Sequence, residues 1–428
     1  MQNRSGNTGY DNSTLAKSGK AIDPINSSFY DQFPYPWPPL IVRKLADPRF
    51  ELDFLSQSIG RWDHSALPLN PRIWIAGCGT NQAALTAVEF PTSAVTASDL
   101  SVKALDSERR LAEQLGVTNL DLRQESINDA EYYDEFDYVI CTGVIHHNED
   151  PRASLARLAS SLKPDGLIQL MVYNRYHSIE ANAVQNVIRI LADDDSALGL
   201  DRQLALATTL MKEHEDLRAR IARFFEMDYS ESALADALIQ PVSHTFTVLE
   251  LQRIAEDCGL DLAQPFINQF DVARNCLDWT MQIHESELQD VYSKLGDAQR
   301  WQVTNLLKLE QSPMLWFFLR RSSSAVPRKT EREITDEFLN QAFEVSATAS
   351  QVFCRTPQGT YQVPKHSVPY PGPHPDTTCR KLVALVADRK RARPRDLLTE
   401  LSIPADFPTV SGLRQRLTTG AFPYLRSV

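Results

Sequence analysis

Residues 73–80, Ile73-Trp74-Ile75-Ala76-Gly77-Cys78-Gly79-Thr80, constrain the fold more than any other stretch. Four apolar residues run straight into a Gly-x-Gly turn. That pattern is a buried strand that stops abruptly, with backbone bared for close approach of a ligand. Residues 81–90 have helical composition. Strand, glycine turn and helix together make the nucleoside- or phosphate-facing corner of a doubly wound sheet. A second apolar run, 94–98, ends in Asp99, 20 residues past Gly79. A carboxylate at the tip of a second strand is placed to accept hydrogen bonds from ribose hydroxyls.

A dinucleotide turn needs a third glycine so that its helix can crowd a pyrophosphate. Here that position is Gln82. A nucleoside without phosphates does not need the helix amino terminus as an anion site. The turn therefore fits S-adenosylmethionine better than NAD. The downstream order agrees. Residues 119–124 read as a third strand, with Glu125-Ser126-Ile127 at its carboxyl end. Residues 136–141 read as a fourth, followed by Thr142-Gly143-Val144-Ile145-His146-His147. A helix over 151–162, a turn at 163–166 and a fifth strand over 167–173 follow. Such alternation predicts an α/β fold: a doubly wound, Rossmann-like, mostly parallel seven-stranded sheet. Thr80, Asp99, Ser126 and Thr142 fall at strand ends, where ligands of such sheets bind.

With these pieces in place, the chain resembles the class I S-adenosylmethionine-dependent methyltransferases. The resemblance rests on residues 76–80, Asp99, residues 125–127, residues 136–147 and Lys163-Pro164-Asp165-Gly166. It is nearest to bacterial proteins with an Ala-Gly-Cys-Gly-Thr turn and a Tyr- and Pro-rich segment ahead of it, here residues 30–37. The resemblance implies that Gly77, Cys78 and Gly79 back the methionine part of the cofactor, with Asn81 and Gln82 beside them. It implies that Asp99 holds the ribose and that Leu100, Ser126 and Ile127 flank the adenine. Thr142 and Gly143 pass beside the methionine. The chain departs from the family at Ile75, which replaces an acid, at Asn81, which replaces a glycine, and at Ser126, which replaces Asp. The implied activity is methyl transfer to an O, N or C atom of a small-molecule acceptor. The departures also suit a cofactor-binding but silent partner protein. A nicotinamide oxidoreductase is disfavoured by Gln82.

Methyl transfer needs alignment above all, and a base where the acceptor is protonated. The candidates are His146 and His147, after the fourth strand, and Tyr35, in the aromatic segment. For the two histidines, a packing role weighs more than a catalytic one.

The rest of the chain divides by composition. Residues 1–25 read as a disordered tail and 26–69 as an aromatic, Pro-rich lid. Residues 70–322 read as the catalytic domain, with a helical insertion at about 178–245 that roofs the site. Within it Thr247 and Glu250 form a capping box, and 262–270 and 314–319 are the last two strands. Residues 322–327 read as a linker and 328–428 as an accessory module. That module is basic near its end: residues 376–428 carry ten Lys and Arg against five acids. Its dense run, 389–395, reads as a solvated face, and no aromatic interleaving supports nucleic acid. Six cysteines form no C-x-x-C pair. They point to reduced thiols, a cytoplasmic setting and no metal site. No apolar run reaches 18 residues, which excludes a helical membrane span from the expectation. Nothing in the sequence speaks to oligomeric state.

Overall fold

A computed structural model describes residues 22–192, 199–221, 230–363 and 367–428. The expected tail falls outside these residues up to position 21. Residues 22–25 do not belong to it, because they open a helix, Ile22–Gln32. Seven strands make the central sheet: β1 (Arg72–Ala76), β2 (Ala94–Asp99), β3 (Leu120–Gln124), β4 (Phe136–Thr142), β5 (Leu162–Val172), β6 (Leu260–Pro265) and β7 (Leu315–Arg321). Their order is β3-β2-β1-β4-β5-β7-β6. The first five run parallel. β7 is antiparallel to both β5 and β6.

The side-chain period of 2 divides the sheet into two cores. Trp74, Ala76, Val139, Cys141, Ile168 and Leu170 pack into one apolar cluster. Ile73, Ile75, Tyr138, Ile140 and Leu167 pack into the other. Both faces are therefore dry, as a parallel sheet requires. The strand order reverses between β1 and β4, which opens a crevice at their carboxyl ends.

The expected helices form from local signals. Ser101 caps Val102–Leu115 by accepting from Ala104 N, and Gly116 ends it in the left-handed region. The Thr247–Glu250 capping box is present and opens Val248–Asp257. The helix after the glycine turn, Gln82–Glu89, has no side-chain bond from its own cap residue. Its first N–H groups go elsewhere. Ala83 N donates to Glu108 Oε1 at 2.7 Å and Ala84 N to Oε2 at 2.9 Å. Glu108 is fully buried. Burial pushes its carboxyl up to about 8, and the two backbone donors pull the other way.

Residues 26–69 divide rather than form one lid. Helix Ile22–Gln32 packs Phe29 into a cluster with Val184, Ile188, Ala207 and Leu238 of the inserted helices. Those helices are Ile179–Leu191, Leu200–Glu213, Glu215–Ile221 and Glu231–Leu238. The strand Ile41–Leu45 instead pairs antiparallel with Thr348–Arg355 from the carboxyl-terminal region. The segment at 322–327 is pinned, not slack: Ser322 Oγ donates to Asp261, and Ser324 Oγ to Asp165, both at 2.8 Å. Phe338, Leu382, Leu397 and Leu413 join the same core as Trp74 and Phe317. Gln57 stitches this region to the amino-terminal one. Its Nε2 donates to Thr418 O at 3.1 Å and Leu425 O at 3.0 Å, and its Oε1 accepts from Ser427 N at 2.7 Å. In the basic run, Arg389 pairs with Glu400 and Arg395 with Asn340, and its charged side chains stay exposed. No helix among the described residues is long and apolar enough to cross a membrane.

Replacing Glu108 with Ala strips two buried N–H groups of their acceptors. The expected loss is about 2–4 kcal/mol, with a smaller loss for Glu108→Gln, which keeps one acceptor. Urea midpoints of the three proteins measure it. Equal midpoints would remove Glu108 from this role.

Candidate functional site

A cavity of about 500 Å³ lies over the carboxyl ends of β1, β2, β4 and β5. Its floor is the glycine turn. Gly77 and Gly79 both adopt positive φ, at 79° and 59°. The turn is held to β2, since Gly77 N and Cys78 N both donate to Ser98 O, at 2.8 and 3.0 Å. A side chain at Gly79 has no room: a Cβ there would meet Tyr35 O at 2.7 Å. Thr80 and Asn81 clamp the same segment, with Thr80 Oγ1 donating to Pro36 O and Asn81 Nδ2 to Trp37 O at 2.8 Å. The aromatic segment thus walls the cavity through contacts the turn itself makes.

Of the cofactor candidates, Gly77, Cys78, Gly79, Asn81, Gln82, Asp99, Leu100, Ile127, Thr142 and Gly143 all line this cavity. Asp99 Oδ2 accepts from Gly79 N at 2.8 Å and Oδ1 from Ser101 N at 2.9 Å. Two backbone donors therefore aim the carboxylate. Burial raises its pKa from the usual carboxylate value, and those N–H groups oppose the rise. Thr142 Oγ1 donates to Gln82 Oε1 at 2.8 Å, joining β4 to the first helix across the crevice. Ile75 stands where the family has an acid, and it is wholly buried in the core below the turn.

Ser126 does not reach the cavity. Its hydroxyl donates to Asp23 Oδ2 at 2.6 Å, in the amino-terminal helix, while its neighbours Glu125 and Ile127 both line the site. The loop the resemblance singled out thus lines the cavity through its other residues, while the Ser126 side chain is drawn to Asp23.

The three catalytic candidates separate. Tyr35 lines the cavity, with its ring edge-on to Trp37. His147 also lines it. Its Nδ1 lies 2.7 Å from Val242 O, and a carbonyl only accepts, so Nδ1 carries the proton. Burial pushes this imidazole down to about 4. His146 is not brought to the cavity. It is fully buried, with its ring 4.1 Å from that of His147 and 4.0 Å from that of Tyr173. Burial lowers its pKa far below the ordinary histidine value.

Sequence reading missed an acid. Asp236, in the helix Glu231–Leu238, lines the cavity from the roof. Its Oδ1 accepts from Tyr30 OH at 3.1 Å and its Oδ2 from Tyr173 OH at 3.3 Å. Burial pushes it up to about 6, against the pull of both phenols. The available signal was a lone acid in an Ala- and Leu-rich helix. Asn182 and Gln185 of Ile179–Leu191 line the same roof.

Residues 74–168 match the family model described as a methyltransferase domain. They span the glycine turn, Asp99 and the crevice. Over those residues the chain carries a methyltransferase domain of the class I S-adenosylmethionine-dependent kind. An uncharacterized protein of Synechococcus is 28% identical over 310 residues, covering 69% of this chain and 71% of that one. A ubiquinone biosynthesis O-methyltransferase of Actinobacillus pleuropneumoniae is 33% identical over 87 residues, only 19% of this chain and 37% of that protein. PKMT2 from Rickettsia typhi, solved in complex with AdoHcy, shares the fold over 92% of this chain and 77% of its own, with a TM-score of 0.56 at 14% identity. The cofactor of this methyltransferase family is S-adenosylmethionine.

The neutral histidines have a consequence for pH. A histidine with a depressed folded pKa contributes stability above its unfolded value, near 6.5, that is lost as pH falls through the folded one. For His147 the window runs from about 6.5 to about 4. Its contribution is up to about 3 kcal/mol. His147→Gln is expected to flatten the fall in unfolding midpoint between pH 6.5 and 4. An unchanged slope would show that His147 is already charged in the folded protein.

Proposed function

We propose that the protein is a working methyltransferase that holds S-adenosylmethionine across the tips of β1 and β2 and admits a small-molecule acceptor beneath the inserted helices. The observation that carries this reading is the pairing of an oriented, cavity-facing Asp99 with a helix amino terminus already filled by Glu108. A pyrophosphate needs those N–H groups, and a sulfonium nucleoside does not.

The residues fit that cofactor. Asp99 receives the ribose hydroxyls on the lone pairs its backbone donors leave open. Leu100 and Ile127 offer apolar surface to the adenine. Gly77, Cys78 and Gly79 let the methionine portion lie against bare backbone, with Gln82, Thr142 and Gly143 beside it. When bound, S-adenosylmethionine supplies a methyl group already activated by its sulfonium. The protein's part is then to align the acceptor and exclude water, and alignment alone can lower the barrier by about 7–11 kcal/mol. Tyr35 and Trp37 wall the chamber, and the inserted helices close it from above. His147 enters as a neutral, positioned ring. None of the six cysteines is in a disulfide, which suits a reducing, cytoplasmic setting.

Calorimetry tests the reading. S-adenosylhomocysteine is expected to bind and NAD is not. Asp99→Ala is expected to lose about 10- to 100-fold in affinity, the worth of one charged hydrogen bond. Unchanged affinity would remove Asp99 from the site. Product binding with no turnover on any acceptor would favour the silent-partner reading, which the buried Ile75 and the diverted Ser126 support.

A further inference from the structure

Among the described residues, three carboxylates line the cavity: Asp99, Glu125 and Asp236. Among those residues no Lys or Arg does, and the imidazole that does, His147, is held neutral. Two of the acids already have a place: Asp99 in the proposed ribose site and Glu125 on a neighbouring phenol. Asp99 accepts from two backbone N–H groups, and Glu125 accepts from Tyr132 OH at 2.7 Å. Asp236 differs. It is 6% exposed, and among the described residues its partners are the two phenols of Tyr30 and Tyr173. No Lys, Arg or His pairs with it there. A buried carboxylate without a counter-charge is costly, and a cation arriving beside it relieves that cost. The groups around it are ring faces. Tyr30, Tyr35, Trp37 and Tyr173 line the same chamber, and Tyr35 lies close enough to raise the pKa of both other tyrosines.

We propose that the acceptor is an aliphatic amine, received as its ammonium ion between the Asp236 carboxylate and the rings of Tyr30, Tyr35, Trp37 and Tyr173. The inference rests on the reading that the glycine turn and Asp99 hold S-adenosylmethionine. An acid or phosphate acceptor would bring a further negative charge to a chamber whose described lining holds no cation to meet it. A neutral hydroxyl would leave the carboxylate uncompensated. An ammonium ion answers both demands, because aromatic faces attract cations as carboxylates do. Before attack the nitrogen must shed a proton. Asp236 is placed to take it, and burial moves the two groups' proton affinities toward each other. The freed lone pair then forms the N–C bond, and the electron pair of the broken C–S bond stays on sulfur. The methylated ammonium keeps the positive charge until it leaves.

Binding of isosteric probes separates this inference from the one it rests on. The full chain is saturated with S-adenosylhomocysteine and titrated calorimetrically with n-butylamine, n-butanol and butyrate at pH 7.5. The amine is expected to bind at least tenfold more tightly than the alcohol, with no measurable binding of butyrate. Asp236→Asn is expected to erase that preference while S-adenosylhomocysteine affinity stays within about twofold, which also reports that the variant is folded. Equal binding of amine and alcohol by the wild-type protein overturns the inference without any variant. So does a preference that survives Asp236→Asn, or a saturated protein that ignores the amine. Failure of the wild-type protein to bind S-adenosylhomocysteine overturns the cofactor reading instead.

Discussion

The carboxylate of Glu108, buried against the first turn of the helix that follows β1, decides what kind of ligand this protein can hold. A free helix amino terminus beside a glycine turn is an anion site. Here two of its N–H groups are spent on a side chain from the neighbouring helix. The corner keeps the geometry of a nucleotide fold, but two of the N–H groups a phosphate would use are taken. What remains at the strand tips is bare backbone, an oriented acid and apolar walls. Those are the requirements of an uncharged nucleoside bearing a positive sulfonium.

The same corner organises distant parts of the chain. Because Thr80 and Asn81 hold residues 36 and 37, the aromatic segment is part of the cofactor floor's own hydrogen-bond set. A few residues later that segment becomes the strand paired with Thr348–Arg355. The carboxyl-terminal region is therefore tied to the site through one continuous stretch of backbone. It also shares the core with β1 and β7. Glu331 shows how firmly it is seated: fully buried, it accepts from Thr280 Oγ1 at 2.9 Å, Trp301 Nε1 at 3.1 Å and Ser411 Oγ at 2.5 Å. The region is packed into the common core of the fold rather than hung from it.

Much of this was legible in the sequence where one local rule governs. The apolar run into Gly77 and Gly79, the acid closing β2 and the Thr247–Glu250 box each encode their structure within a few residues. The parallel strands follow from alternation alone. What was illegible depends on partners far along the chain. Ser126 turns away because Asp23, 103 positions earlier, takes its hydroxyl. His146 and His147 are adjacent and alike in sequence, yet in space His146 is packed between two rings while His147 lines the cavity. The run 26–69 reads as one lid by composition, yet its halves serve a helical bundle and a separate sheet. The residues at 322–327 look like slack because Ser is common in linkers. Asp165 and Asp261, which hold them, sit in β5 and β6.

Asp236 extends that lesson to chemistry. No motif marks it, since it lies in an insertion with no recurrent spacing. Its meaning comes from three elements meeting: Tyr30 from the amino-terminal helix, Tyr173 just past β5, and the acid from the roof. The cofactor half of the site is built from the strand tips, whose sequence is tightly constrained by backbone geometry. The proposed acceptor half joins residues of the amino-terminal segment and Tyr173 to Asp236 of an inserted helix. On that reading the acceptor is chosen largely by residues outside the strand tips. This is why the family could be read from residues 74–168 while the acceptor could not.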